Sequence, residues 1–327
     1  MKIQYWGLLA LLSLLTPGVA HAATPAPVPI PVILDTDMGD DIDDALALAL
    51  ALQSPELKIE AIVTVLNDGP RRADLTWKIL ELFHRTDIPV GIGAEDPLLA
   101  KPRTGTVKQT EALPAGYHMP ATLRRNGLEL FIETCLKSPR KITVLAYGPL
   151  TNVALALRAE PRLKNHIERI ILMNGVFFRP GLEYNTKVDP EASAIVYSYG
   201  LPITTVGLDV TLQCRLSQPQ LDRLAASTQP TVQFLYQLIQ IWQGGNPNTR
   251  PILHDPLAIA VAVKPALVTT QQGRVTVETH GTVNETYGMT VFHKDPAGTV
   301  QVAQEVSSAD AIDLFLTRIL AAPRVPE

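Results

Sequence analysis

Only two cysteines, Cys135 and Cys214, occur in 327 residues. That excludes a disulfide framework and any zinc site of paired cysteines. The two thiols either bridge in an oxidising compartment or stay as small buried side chains. A basic block is missing as well. Lys and Arg number 28 against 32 Asp and Glu, a net charge of −4, which excludes a nucleic-acid polymer as the natural partner. There is no internal repeat and no second domain boundary. No apolar run is long enough to span a bilayer. The longest, Trp6 to Leu15, follows Lys2 and precedes Ala20-His21-Ala22, so residues 1–22 read as a signal peptide. No cysteine sits at that cleavage point to carry a lipid. Residues 23–31, with four prolines, form an extended leader. The mature protein is therefore expected to be exported, periplasmic or secreted, with no membrane span.

The whole chain is 46% hydrophobic and 18% charged, and what remains after the leader, 32–327, suits one large α/β domain. Its beginning carries the strongest signal. Ile30 to Leu34 reads as a buried strand, and an Ala/Leu run without β-branched residues reads as a helix buried on most sides. Between them, six aspartates fall within the ten positions from Asp35 to Asp44. Two carboxylates about 4 Å apart repel by roughly 4 kcal/mol at an effective dielectric near 20. Such a group persists in one pocket if some members protonate, splay apart or hold a cation. All-oxygen donors without nearby Cys or His point to a hard ion, Ca²⁺ or Mg²⁺. An EF-hand loop is excluded, since counting from Asp35 puts Leu46 at position 12.

The sequence Asp35-Thr36-Asp37-Met38-Gly39, followed by Asp43-Asp44-Ala45-Leu46-Ala47-Leu48, resembles the N-terminal signature of the nucleoside hydrolases of the inosine–uridine-preferring type. That family has Pro where Met38 stands and one residue between the glycine and the Asp pair. Here Asp40, Asp41 and Ile42 fill that interval. The following Ala-Leu-Ala-Leu favours Asp43-Asp44 as the pair, with Asp40-Asp41 as the alternative.

Three more motifs occur in the family's order. Tyr147-Gly148-Pro149-Leu150-Thr151-Asn152 is similar to a segment whose backbone carbonyl, here that of Tyr147, ligates calcium; Thr151 or Asn152 would cap the next helix. Glu183-Tyr184-Asn185 resembles a sugar-binding phrase. Two such residues, two apart in an extended loop, would face one pocket and suit hydroxyls that both donate and accept. Asp189-Pro190-Glu191 after it reads as a structural helix start. His254-Asp255-Pro256 resembles the motif that completes the metal site from far along the chain. Asn67, at the end of a strand and in a turn Asn67-Asp68-Gly69-Pro70, matches an Asn that reaches the family's site. A long Pro/Gly/Thr-rich loop, 95–120, has the character of a lid or binding loop. His118 is the candidate there for the family's His-Gly contact, against a plain surface role. Phe177 or Phe178 stands where a second sugar-binding Asn is usual.

The resemblance implies a single-domain fold, a mostly parallel Rossmann-like sheet with helices on both faces, as the alternation of strands and helices also requires. It implies hydrolysis of the N-glycosidic bond of purine or pyrimidine ribonucleosides, with Ca²⁺ held by Asp37, Asp44, the Tyr147 carbonyl and Asp255. Asp37 would serve as general base and His254 as acid for the leaving base, its imidazole being suited to proton transfer near neutral pH. Asp43, Asn67, Glu183 and Asn185 would bind the substrate, a small nucleoside. The sequence leaves room for a homo-oligomer. Two alternatives stay open: an exported ribosyl-binding protein that keeps the calcium site without turnover, and a haloacid-dehalogenase-type phosphatase, suggested by Asp35-Thr36-Asp37 after a strand but lacking Thr or Val at Gly39.

Overall fold

At the centre of the sheet lies β1 (Ile30–Thr36), hydrogen-bonded in parallel to neighbours on both sides. The computed structural model describes residues 28–102, 104–283 and 285–324, so the signal segment and most of the leader lie outside the described residues. The chain continues through α1 (Asp43–Leu52), β2 (Leu57–Thr64), α2 (Gly69–Leu82), β3 (Val90–Ile92), β4 (Arg125–Asn126), α3 (Gly127–Lys137), β5 (Ile142–Ala146), α4 (Thr151–Ala159) and β6 (Ile167–Met173). Then follow α5 (Tyr184–Val188), α6 (Pro190–Ser198), β7 (Ile203–Val206), α7 (Leu208–Thr211), α8 (Gln218–Ala225), α9 (Pro230–Gln243) and α10 (His254–Val263). The last elements are β8 (Val268–Val277), β9 (Thr290–Lys294), β10 (Val300–Val306) and α11 (Ser308–Ile319).

The strand order is β4-β3-β2-β1-β5-β6-β7-β10-β8-β9. From β4 to β10 every pair is parallel, and β8 joins antiparallel to both β10 and β9. Because side chains alternate along a strand, β1 sends Val32 and Leu34 into one apolar cluster and Ile33 into the other. Helices cover both faces, the expected α/β architecture. Cys135 and Cys214 are free and buried in opposite clusters, so no bridge joins them. Burial pushes each thiol up to about 12.

Chain direction sets where a site can form. From β1 the strands run outward one way to β4, then β5 starts on the other side of β1. Loops leaving β1 and β5 diverge there, and open α/β sheets bind ligands in that crevice.

Several boundaries differ from the expected ones. The strand begins at Ile30 as expected, its N–H donating to the Glu56 carbonyl at 2.7 Å, but it takes in the last two residues assigned to the leader and runs on to Thr36, two residues past Leu34. The expected turn at 67–70 is partly helix: α2 starts at Gly69 with Pro70 in its first turn, where proline's fixed φ suits a helix. Asp68 ahead of it is left-handed, φ 57°. No described helix is long and apolar enough to cross a membrane.

Candidate active site

Helices α1 and α10 form the base of the site. Both are apolar on nearly every side, and both are buried over most of their length. They pack against each other and present their N-termini at the same point. Those ends carry Asp43-Asp44 and His254-Asp255, where the positive ends of two helix dipoles partly offset the acids' charge. Asp43 Oδ2 accepts from the Asp255 N–H at 3.3 Å, and Asp44 Oδ1 accepts from Thr36 Oγ1 at 2.5 Å.

Above this floor is a cavity of about 620 Å³. All nine residues expected at the site line it: Asp37, Asp43, Asp44, Asn67, Tyr147, Glu183, Asn185, His254 and Asp255. They come from loops after β1, β2, β5 and β6 and from the start of α10. Carboxylate oxygens of Asp43, Asp44 and Asp255 lie within 4.8 Å of one another and all three residues are buried. Asp37 stands in the same cavity without belonging to that close trio. Gly148 makes room for it, because a Cβ there would come within 2.9 Å of Asp37 N and Oδ1.

The electrostatics describe a site with too much negative charge for its surroundings. Burial first, then neighbouring carboxylates, pushes Asp43, Asp44 and Asp255 well above the usual range. Asp37 is pushed up to about 7, chiefly by burial and against the pull of Arg72. A hard divalent cation answers this imbalance, and the donor set, all oxygen, suits one. The sign of the pH effect follows. Asp37 titrates near 3.8 when exposed and about 7 when folded, so the cation-free protein holds extra protons between those values and loses that stabilisation as pH rises through them. A cation needs the carboxylates ionised and displaces those protons. The melting temperature with Ca²⁺ minus that with chelator should therefore widen from about pH 5 to about pH 8. A gap that stays constant or narrows over that range would contradict the cluster's role.

Several details depart from the sequence reading. Glu183 and Asn185 do not sit in an extended loop. Glu183 is the N-cap of α5: Oε1 accepts from Asn185 N at 2.7 Å, while Oε2 accepts from Thr186 N and Gly175 N. Asn185 spends both amide hydrogens on the Tyr147 and Met173 carbonyls, at 3.0 and 3.1 Å. Its Oδ1, one lone pair on the Tyr147 carbonyl and the spare capacity of Glu183 remain for ligands. Thr151 and Asn152 do not cap α4. Thr151 donates to Asp189, and Asn152 ties Asp35 Oδ2, the Thr64 carbonyl and the Ala94 N–H together. Asp189 itself caps α6, as its sequence context indicates.

His254 Nδ1 lies 2.7 Å from Thr211 Oγ1, and burial, with Arg215 nearby, lowers its pKa to about 4. At neutral pH the imidazole is uncharged, so the expectation of an acid titrating near neutrality is corrected. It can still offer one N–H. His118 lies outside the cavity, an exposed side chain paired at 2.9 Å with the buried Asp74.

Arg72 is the residue the sequence hid. It is fully buried, and every guanidinium hydrogen is used. It donates to the Asn67 carbonyl, the Asp37 and Met38 carbonyls, Asp40 Oδ2 and Asn67 Oδ1. It thereby holds the loop after Asp37 and the turn carrying Asn67, flanked by left-handed Leu66 and Asp68, in one arrangement. Asp40 is engaged as its counter-ion and only half-buried, whereas Asp43 and Asp44 are on the floor. The geometry thus sets Asp43-Asp44, not Asp40-Asp41, at the acid cluster.

A mostly parallel sheet with a buried carboxylate cluster at its switch point defines an open α/β ligand site, and comparison with known proteins gives its class. Residues 32–313 match the model of the inosine-uridine preferring nucleoside hydrolases. The chain belongs to that family. It is 35% identical over 293 residues to the pyrimidine-specific ribonucleoside hydrolase RihA of Citrobacter koseri, covering 82% of this chain and 91% of that one. A plant nucleoside hydrolase superposes with a TM-score of 0.79 at 28% identity, over 90% of this chain and all of the other. The purine-preferring ribonucleoside hydrolase of Gardnerella vaginalis superposes with 0.76 at 28% identity, over 89% and 98%. The chain is accordingly an enzyme that hydrolyses N-glycosyl bonds of small nucleosides, within a metal-dependent family. The phosphatase alternative falls away.

Proposed function

We propose that the protein hydrolyses ribonucleosides to free base and ribose with one Ca²⁺ per chain, held by Asp37, Asp44, Asp255 and the Tyr147 carbonyl. The observation that carries this is the convergence of all nine expected residues, from five separate stretches of sequence, on one cavity. The ion, when bound, supplies positive charge that polarises water and the ribose diol.

The chain's own residues do the rest. Departure of the base leaves an oxocarbenium-like ribosyl centre, which the buried carboxylates stabilise by their charge. Asp37, ionised when the cation is bound, accepts the proton of the attacking water as general base. Asp43, Asn185 Oδ1 and the free lone pair of Glu183 fix the hydroxyls. The neutral imidazole of His254, held by Thr211, offers a hydrogen bond to the departing base. We further propose that residues 1–22 direct the enzyme out of the cytoplasm; a mature N-terminus at Ala23 in the exported fraction tests that.

Sugar recognition gives a direct test. Asn185→Ala removes contacts worth roughly 0.5–1.5 kcal/mol each and should raise KM more than it lowers kcat. Glu183→Ala should do the same. Both variants should lower the melting temperature, Glu183→Ala through a lost helix cap worth about 1 kcal/mol and Asn185→Ala because the buried Tyr147 and Met173 carbonyls lose their donor. Deoxyribonucleosides should be poor substrates for the wild type. Equal kcat/KM for a 2′-deoxynucleoside and its ribonucleoside would sink this placement of the sugar.

A further inference from the structure

The cavity has a buried floor and an exposed rim, and the rim carries a carboxylate that the chemistry above leaves unused. Asp41 is exposed, lines the cavity and belongs to the interval between Gly39 and the Asp43-Asp44 pair. Its partner in that interval, Asp40, is spent on Arg72. Asp41 is not. Its position is nonetheless fixed. Its Oδ1 accepts from the Ile42 N–H at 2.6 Å, and its carbonyl accepts from Gln109 Nε2 at 2.5 Å. Trp242 lines the same cavity, as do Thr104 and Thr106. A carboxylate has about four acceptor positions, the Ile42 N–H takes one of them, and the residue lines the cavity.

The depth of the cavity sets which part of a nucleoside meets Asp41. This inference rests on the nucleoside reading of the site. If the ribose lies on the buried acids of the floor, the base extends toward the rim. The 4-position of a pyrimidine and the 6-position of a purine are on the side of the ring remote from the glycosidic nitrogen. An amino group there donates hydrogen bonds, whereas an oxo group presents lone pairs. Among the charged side chains of the cavity's rim, Asp40 is neutralised and Asp41 is the fixed anionic acceptor. An anionic acceptor favours the donor and repels the lone pairs, and a site that reads one hydrogen bond discriminates strongly when it is reversed.

We propose that Asp41 is a specificity-determining residue that makes the enzyme favour amino-bearing bases over their oxo counterparts, cytidine over uridine and adenosine over inosine. Gln109 acts as a positioning residue behind it, through the Asp41 carbonyl.

The test is the ratio of kcat/KM for cytidine to that for uridine, measured in wild type, Asp41→Asn and Asp41→Ala with Ca²⁺ present. Wild type should show a ratio above one. In Asp41→Asn the new amide can donate to the oxo group, so the ratio should fall at least ~10-fold; in Asp41→Ala it should move toward one. Inhibition of the wild type by free cytosine against free uracil supplies a second reading that needs no variant, with cytosine the stronger inhibitor. A ratio that stays within about twofold across all three proteins, or uracil binding more tightly than cytosine, would overturn the proposal. Absence of turnover on every nucleoside by the wild type would instead count against the nucleoside reading itself, so the two failures are distinct.

Discussion

Asp37→Asn should lower turnover by about 10²–10⁴-fold while Ca²⁺ stays bound, because general-base catalysis is typically worth that much. The amide keeps the shape and one ligating oxygen but cannot take a proton. Gly148 packs directly beside this carboxylate, and an isosteric change there disturbs no neighbour. The variant also removes one negative charge beside the developing ribosyl cation, so the loss combines two effects of the same group. Binding of a ribose analogue should persist, and metal content must be measured in the same sample. Full activity in a metal-loaded Asp37→Asn protein would remove Asp37 from the mechanism.

Removing a member of the buried acid cluster should be as severe by a different route. Asp44→Ala and Asp255→Ala each take a carboxylate from the close trio. Outer partners of a metal site are commonly worth 10–100-fold in affinity, so a ligand itself should cost more than about 100-fold, and activity should fall with metal content. Asp43→Ala separates the trio's roles. If Asp43 serves the sugar, that variant keeps its metal and loses affinity for ribose, which calcium titration by calorimetry and an inhibition assay report independently. Retention of wild-type calcium affinity in Asp255→Ala would end the account of the cluster.

Much of this was readable from local chemistry. The six aspartates lie between a buried strand and a buried helix, and that placement survives as the end of β1 and the start of α1. Asp255 joins them across 211 positions from Asp44 because α10, another all-buried helix, has its start at the same place. The motif order was enough to pair them. What stayed hidden depended on three-dimensional partners. Arg72 sits in the first turns of α2, where a cation looks like any solvated helical residue; only the fold brings the Asp37, Met38 and Asn67 carbonyls around it. Glu183 was misplaced in an extended loop because α5 is only five residues long, too short for apolar periodicity to show. Thr211 had no readable role, since its partner His254 lies 43 positions away. The insertion of β10 between β7 and β8 reflects long-range pairing that short β segments do not encode.

The most direct measurement follows free ribose and free base released from inosine, uridine, adenosine and cytidine by the chelator-treated wild type as Ca²⁺ is restored. The account predicts negligible release without the ion, then equimolar ribose and base rising to saturation at one Ca²⁺ per chain. No release from any of the four at saturating Ca²⁺, together with measurable ribose-dependent binding, would contradict it and describe a binding site in place of a working hydrolase.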